Sequence, residues 1–138
     1  MLDPNDIDRI RESFNFLLPL QEDAAEAFYH ELFERYPDVR DMFPEDMSEQ
    51  TGKLWSVLVT AVESLDDFEA LRPTLRNLGQ SHVGYGVAPA HYDAVAEVLI
   101  DTVAYAMGPE FGERHRSAWS TVLGAVSSEM IGASTKAA

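Results

Sequence analysis

Apolar residues recur at the spacing of an α-helix along almost the whole chain. In the clearest run, six apolar residues occupy positions i, i+3, i+4, i+7, i+8 and i+11, which all lie on one face of a helix. These residues are Leu54, Val57, Leu58, Ala61, Val62 and Leu65. Similar runs begin at Ile7, Ala25, Val95 and Trp119, and no stretch alternates convincingly as a β-strand does. The pattern predicts an all-α fold.

Residues that start or stop helices separate these runs. Asp3, followed by a proline, is suited to cap and start the first helix, and Ser48 is suited to cap the helix that follows it. Pro89 begins another helix, which Gly108 and the next proline end. Asp66 and its acidic neighbour break the chain before a segment that we expect to be shorter than the other helices.

The length and composition limit the classes of protein that the chain can represent. A length of 138 residues with 46% hydrophobic residues predicts one domain, residues 1–138, around a single core. The absence of cysteine excludes disulfides, zinc–thiolate sites, iron–sulfur clusters and thiolate nucleophiles, and is compatible with the cytoplasm. We expect no signal peptide and no membrane span.

The surface charge is strongly acidic. The chain has 24 acidic and 10 basic residues, for a net charge of −14. Such a charge disfavours binding to nucleic acids and to anionic membranes. A solvated acidic surface explains it, and adaptation to high salt is an alternative that the sequence does not separate from it.

The histidines are the most informative polar residues. None of the four forms an HxxxH or HExxH pair, so the spacing does not predict a zinc site. They are His30, His82, His91 and His115. The glycine pair in the segment 84–86 follows a predicted helix, so it indicates a helix end and a turn and not a dinucleotide-binding loop. We expect His30, His91 and His115 to be surface residues.

His82 lies near the end of a predicted helix, on an apolar face that it shares with Leu75 and Leu78. A histidine in such a place is usually a core residue with a satisfied hydrogen bond. A haem iron, however, needs only one protein ligand, a neutral imidazole. The second ring nitrogen then needs an acceptor, and the backbone carbonyl of Leu78, one turn earlier, is suitably placed.

Four segments of the chain, taken in order, match a recurring set in one protein family. They are FYHELFERYPDVRDMF, SEQTGKLWSVL, LGQSHVGYGV and APAHYDAVAEVLIDTV. They resemble the second helix and its corner, the start of the distal helix, the proximal-histidine segment and the next helix of bacterial single-domain globins and flavohaemoglobin globin domains. The resemblance implies a globin fold of about seven helices in a 3-on-3 sandwich around haem b (iron protoporphyrin IX). Because the linker 44–47 is short, the D helix is expected to be short or missing.

The resemblance implies that His82 is the proximal ligand of the iron. Five further residues are expected to line the proximal side, and in the absence of the resemblance most of them are explained as core. They are Leu78, Val87, Tyr92, Val95 and Leu99. In flavohaemoglobins a tyrosine–glutamate pair hydrogen-bonds around the ligating histidine. Tyr92 fits the tyrosine, but no glutamate stands at the matching position, and Glu129 lies about one turn too early.

On the distal side, the resemblance implies that Tyr29 and Gln50 point at the bound ligand and that Leu54 crowds it. Phe43 would wedge against the porphyrin, and Lys53 would reach a haem propionate. Each has a plainer explanation: a buried tyrosine can donate to a carbonyl, Leu54 and Phe43 can be ordinary core residues, and Gln50 and Lys53 can be solvated.

These residues together predict a globin that binds O2 reversibly and tightly, and NO and CO as well. Scavenging or storage of O2 and detoxification of NO are the expected roles. The alternatives are an NO dioxygenase that needs an external electron donor or reductase, a gas or redox sensor that acts through a partner protein, and a haem-free structural domain, which the residue set disfavours. A monomer or weak homodimer is expected. The coordination of ligand-free iron stays open.

Overall fold

The computed structural model of the protein describes residues 2–84 and 87–137. Six α-helices follow one another: α1 Pro4–Leu17, α2 Gln21–Arg35, α3 Ser48–Glu63, α4 Phe68–Gly84, α5 Pro89–Met107 and α6 Glu113–Ala137. Short 3₁₀ helices span Leu18–Leu20, Pro37–Met42, Leu65–Asp67 and Gly108–Glu110. The prediction of an all-α fold is confirmed. Across the described ranges, no helix is both long and apolar enough to cross a bilayer.

The residues that the structure describes form six α-helices, against the seven or so expected. The segment between α2 and α3 forms only the 3₁₀ helix Pro37–Met42, and residues 44–47 are not helical. The missing D helix is therefore as predicted. The turn expected at 84–86 includes residues outside those the structure describes.

The helix ends agree with the sequence at α1 and α5 and differ at α3 and α4. The Asp3 carboxylate accepts a hydrogen bond from the backbone N–H of Asn5 at 2.8 Å, which caps α1. The prediction that Ser48 caps α3 is wrong, because Ser48 is the first residue of the helix. The Asp46 carboxylate accepts bonds from both the backbone N–H and the hydroxyl of Ser48, and these bonds lower the pKa of Asp46.

The prediction that the helix after Asp66 is short is also wrong, since α4 has 17 residues and α3 has 16. The length of α4 follows from its packing on α6, the most extensive helix pair in the described fold. Leu71 and Leu75 of α4 are buried together with Met130 of α6 in a small apolar cluster. A packed apolar face of this kind supplies most of the stability of a helix in a folded protein.

Gly79 allows α4 and α6 to approach closely. A Cβ atom at this position would lie 2.3 Å from the carbonyl oxygen of Met130 and 2.9 Å from its carbonyl carbon and Cα. No side chain larger than hydrogen fits between the two backbones. This contact holds the last turns of α4, and His82 with them, against α6.

The main core lies among α1, α2, α5 and α6, with part of α3 against it. Its most deeply buried apolar side chains are Ile10, Leu32, Val98, Val103 and Ala118. The α1–α6 and α2–α5 contacts enclose this core. Helices α3 and α4 lie at its edge.

Two of the three histidines predicted at the surface are partly or fully buried, and both cap helices. His91 and His115 are each the third residue of their helix, α5 and α6. Nδ1 of His91 accepts from the backbone N–H of Ala88 at 2.8 Å, and Nδ1 of His115 accepts from that of Gly112 at 3.0 Å. The side chain at this position can reach back to the helix start, which the apolar pattern does not reveal. His91 is half-buried and His115 buried, whereas His30 is exposed as predicted.

Candidate functional site

His82 is held in one tautomer by its own helix. Its Nδ1 lies 2.6 Å from the carbonyl oxygen of Leu78, one turn earlier in α4, as the sequence predicts. A carbonyl only accepts hydrogen bonds, so Nδ1 carries the proton and Nε2 carries the lone pair. The half-buried imidazole therefore presents the nitrogen that a metal ion would need.

The side chain of Tyr92 lies beside this imidazole. The two ring centroids are 6.0 Å apart, with an angle of 25° between the planes. Tyr92 and Leu78 both pack against the small cluster of α4 and α6. Val87 is half-buried, and its backbone N–H donates to the carbonyl of His82 at 3.1 Å. The structure thus brings together His82, Leu78, Tyr92 and Val87.

The carboxylate of Glu129 is bonded to arginines of α4. Its oxygens accept hydrogen bonds from Arg76 at 2.7 Å and Arg72 at 3.1 Å, both on α4. Only 15% of its side chain is exposed. Removal of this carboxylate would take a partner from both arginines, although Arg72 would keep its ion pair with Glu69 at 3.0 Å. Glu129 therefore joins α6 to α4 on the helix that carries His82.

Tyr29 and Gln50 meet where α2 and α3 are in contact. Tyr29 is on α2 with 6% of its surface exposed, and Nε2 of Gln50 on α3 donates to its phenolic oxygen at 3.3 Å. Burial raises the pKa of the Tyr29 phenol, and the Gln50 bond opposes that shift to a smaller extent. The phenol accordingly keeps its proton at neutral pH and can donate it.

Three aromatic rings, those of Phe28, Phe33 and Phe43, pack around Tyr29. Phe43 lies edge-on to Tyr29 with 5.4 Å between the ring centroids, and Phe33 is stacked on Tyr29 at 5.9 Å. Phe33 and Phe43 also contact each other edge-on at 5.4 Å. Sequence reasoning missed Phe33, although it follows Tyr29 by four residues and so shares its face of α2.

The remaining predicted site residues divide between the core and the surface. Leu54 and Val95 are half-buried against the main core, and Leu99 is buried in it. Lys53 is exposed on α3. Lys53 therefore belongs neither to the main core nor to the contacts described around His82 and Tyr29.

The apolar side of α3 is incompletely covered. Val62 is its only buried residue, whereas Leu54 and Leu58 are half-buried and Val57 is 40% exposed. A cavity of about 160 Å³ separates α3 from α4. Its lining consists of Ser56, Val57, Thr60, Ala61, Leu71, Thr74, Leu75 and Leu78. An apolar group inserted between α3 and α4 would cover this surface, and the imidazole of His82, bonded to the lining residue Leu78, would supply a ligand for a metal. The residue types present therefore fit a haem, although the cavity itself is smaller than that group.

Comparison with known protein families identifies the family of this chain. The globin family model matches residues 26–130, from the second turn of α2 to within α6. The chain belongs to the globin family. Membership implies haem binding and the binding of small gases such as O2.

Two relatives of this globin come from Aquifex aeolicus and Bacillus subtilis. It is 28% identical over 119 residues to an uncharacterized globin-like protein of Aquifex aeolicus, covering 86% of this chain and 84% of that protein. It is 23% identical to a flavohemoprotein of Bacillus subtilis over 96% of this chain. The globin spans about a third of that flavohemoprotein, 34% of its length.

Two solved structures share the fold over nearly the whole chain. One is an engineered carbene transferase made from a candidate nitric oxide dioxygenase of Rhodothermus marinus, with a TM-score of 0.87 and 28% identity over 99% of this chain and 96% of that one. The other is a bacterial globin of Campylobacter jejuni, with a TM-score of 0.84 and 25% identity over 97% of both chains.

Proposed function

We propose that this globin holds one haem b through His82 and binds O2 tightly and reversibly, with Tyr29 and Gln50 as donors to the ligand. The observation that carries the proposal is the 3.3 Å hydrogen bond between Gln50 and the buried, protonated phenol of Tyr29. A haem held by one imidazole supplies an open position at which O2 binds and acquires partial negative charge. NO and CO are further ligands of the same position.

On the proximal side, α4 prepares His82 for this role. The Leu78 carbonyl holds the proton on Nδ1, so the lone pair of the neutral imidazole is on Nε2, and the neighbouring ring of Tyr92 limits rotation of the imidazole. Leu75, Leu78 and the exposed apolar residues of α3 provide an apolar surface that excludes water from a bound haem. Val95 and Leu99 on α5 and Leu54 on α3 would extend that surface, and Lys53 would reach a propionate.

On the distal side, Tyr29 and Gln50 provide an O–H and an N–H from two different helices. Because Gln50 donates to the phenolic oxygen, the phenol's own proton is directed at another acceptor. A hydrogen bond to a charged acceptor contributes roughly 1.5–3 kcal/mol. Since about 1.4 kcal/mol corresponds to a tenfold change in affinity, Tyr29 alone would slow O2 release by roughly tenfold to a hundredfold.

Stopped-flow measurement of O2 release tests the proposal. The Tyr29→Phe variant keeps the ring and its aromatic contacts but loses the O–H, so release should become at least about tenfold faster. Tyr105→Phe is the matched control, because Tyr105 is 91% exposed and the same atom is removed there. Release from Tyr29→Phe at the rate of the control would refute the role of Tyr29.

A second candidate function is dioxygenation of NO to nitrate. The likeness to the Rhodothermus marinus protein over nearly the whole chain favours it, as does the flavohemoprotein relative. Each turnover would consume one electron, so an external electron donor or reductase is the partner that this activity requires. Sustained NO consumption in the presence of a generic reductase would favour the enzyme, and a single turnover would favour O2 storage or scavenging. We place either activity in the cytoplasm, in line with the absence of cysteine.

A further inference from the structure

The guanidinium of Arg40 binds three successive backbone carbonyls in the non-helical segment that precedes α3. Nη1 donates to the carbonyl oxygens of Phe43 at 3.4 Å and Pro44 at 2.9 Å, and Nη2 donates to that of Glu45 at 3.0 Å. The backbone N–H of Phe43 donates back to the carbonyl of Arg40 at 3.1 Å. None of the ion pairs formed among the described residues includes Arg40. Its charge is therefore directed at the backbone of this segment.

The same guanidinium also covers one of the aromatic rings that pack against Tyr29. It lies over Phe33, 5.0 Å from the ring centroid, at a distance typical of cation–π contacts. Phe33 is stacked on Tyr29, and both rings contact Phe43. Arg40 is half-buried, so this contact is partly shielded from water. One planar group thus holds both the ring that supports Tyr29 and the backbone that carries Phe43.

These contacts converge on the Tyr29–Gln50 pair by two routes. Through Phe33 and Phe43, Arg40 limits the movement of the Tyr29 ring. Through the carbonyls of 43–45, it holds the segment that leads into α3, where Gln50 is the third residue. We propose that Arg40 is a positioning residue that sets the geometry of Tyr29 and Gln50 toward the ligand. This inference rests on the proposed function, because it concerns the same donors.

Lysine is not expected to replace Arg40. A guanidinium is planar and presents several N–H groups at once, whereas an ammonium is a single compact charge. Lysine would keep the charge but would not span three carbonyls while lying flat over Phe33. Arg40→Lys therefore tests the geometry with little change in charge, and Arg40→Met tests the loss of all polar contacts.

The first measurement is O2 release from the two variants. Arg40→Lys should accelerate release by roughly threefold and Arg40→Met by roughly tenfold. The matched control is Arg11→Lys, because Arg11 also donates to backbone carbonyls, those of Val62 and Glu63 at 3.5 Å, at the opposite end of α3. The control should leave release unchanged. Arg40→Lys is the decisive variant if Arg40→Met does not fold.

A double-mutant cycle separates a positioning role from a general loss of stability. If Arg40 acts through the two donors, substitution of Arg40 in a background that lacks both, Tyr29→Phe with Gln50→Leu, should change O2 release by less than about 1.5-fold. An equal acceleration in both backgrounds would overturn the inference. So would wild-type release from Arg40→Lys when Tyr29→Phe is fast. If Tyr29→Phe itself has no effect, the proposed function fails first.

A second readout does not require bound haem. In the haem-free chain, amide hydrogen exchange of residues 43–47 should become faster in Arg40→Lys, because the segment loses part of its anchoring. The same peptide should exchange at the wild-type rate in Arg11→Lys. Unchanged exchange in Arg40→Lys would also contradict the proposed anchoring of this segment.

Discussion

Substitution of Gly79 by alanine tests the contact that positions α4, the helix that carries His82. The new Cβ would lie 2.3 Å from the carbonyl oxygen of Met130, with two more backbone atoms at 2.9 Å. The backbones of α4 and α6 would have to separate by about 1 Å to reach ordinary contact distances. No flexible side-chain end can yield here, since all three atoms belong to the backbone.

The two energetic effects of this substitution oppose each other. Alanine is the better helix former by about 1 kcal/mol, whereas overpacking of a close contact costs roughly 1–3 kcal/mol or more. Because the contact of Gly79 is between two helix backbones, we expect the cost to be at its upper end. The Gly79→Ala variant should therefore lose about 2 kcal/mol of unfolding free energy.

Urea unfolding of the haem-free protein, followed by far-UV circular dichroism, measures this change. Gly124→Ala is the matched control, because Gly124 is exposed on α6 and a Cβ there would meet nothing within 4 Å. The control should gain roughly 0.5–1 kcal/mol from helix propensity. Gly79→Ala should also lose haem faster than the control, since His82 lies one turn further along α4. If Gly79→Ala is as stable as Gly124→Ala, the close approach of α4 and α6 is refuted.

Two further predictions concern single side chains of the site. His82→Ala should fail to develop a Soret band when haem is added, and free imidazole should restore the band. The control His30→Ala, at an exposed histidine, should bind haem normally. A normal Soret band from His82→Ala without imidazole would contradict ligation of the iron by His82. Because burial raises the pKa of Tyr29, its phenol stays protonated in the folded state when the unfolded chain ionises near its ordinary value of about 10. The contribution of Tyr29 to stability is therefore fully present below about pH 10 and is lost as the pH rises through its raised folded-state pKa. In urea unfolding at increasing alkaline pH, the wild type should lose more unfolding free energy than Tyr29→Phe does. Equal losses in the two proteins would contradict this burial effect.

Several features of the fold followed directly from local sequence. The apolar spacing that begins at Leu54 predicted α3, although Leu65, the last residue of that run, lies beyond α3 in a 3₁₀ helix. Asp3 and Pro89 marked the starts of their helices. These predictions succeeded because periodicity and capping depend on residues within a few positions of each other. The hydrogen bond from His82 to the Leu78 carbonyl was predictable for the same reason, since the two residues are one helical turn apart.

Predictions failed where a residue had more than one partner within reach. Ser48 was expected to cap α3, but the carboxylate of Asp46 accepts its N–H instead. His115 was expected at the surface, but it is the third residue of α6 and packs inward while it caps that helix. Composition alone did not indicate which of two nearby polar groups the chain would use.

The sequence by itself determined the helices, the apolar faces and the position of the histidine on α4, because each depends on local spacing. Only the tertiary structure decided that Gln50 meets Tyr29, 21 residues away, and that Glu129 meets Arg72, 57 residues away. These contacts depend on how closely and at which residues the helices cross. That geometry results from the packing of all their side chains together and from the lack of a side chain at Gly79, and no local pattern encodes it.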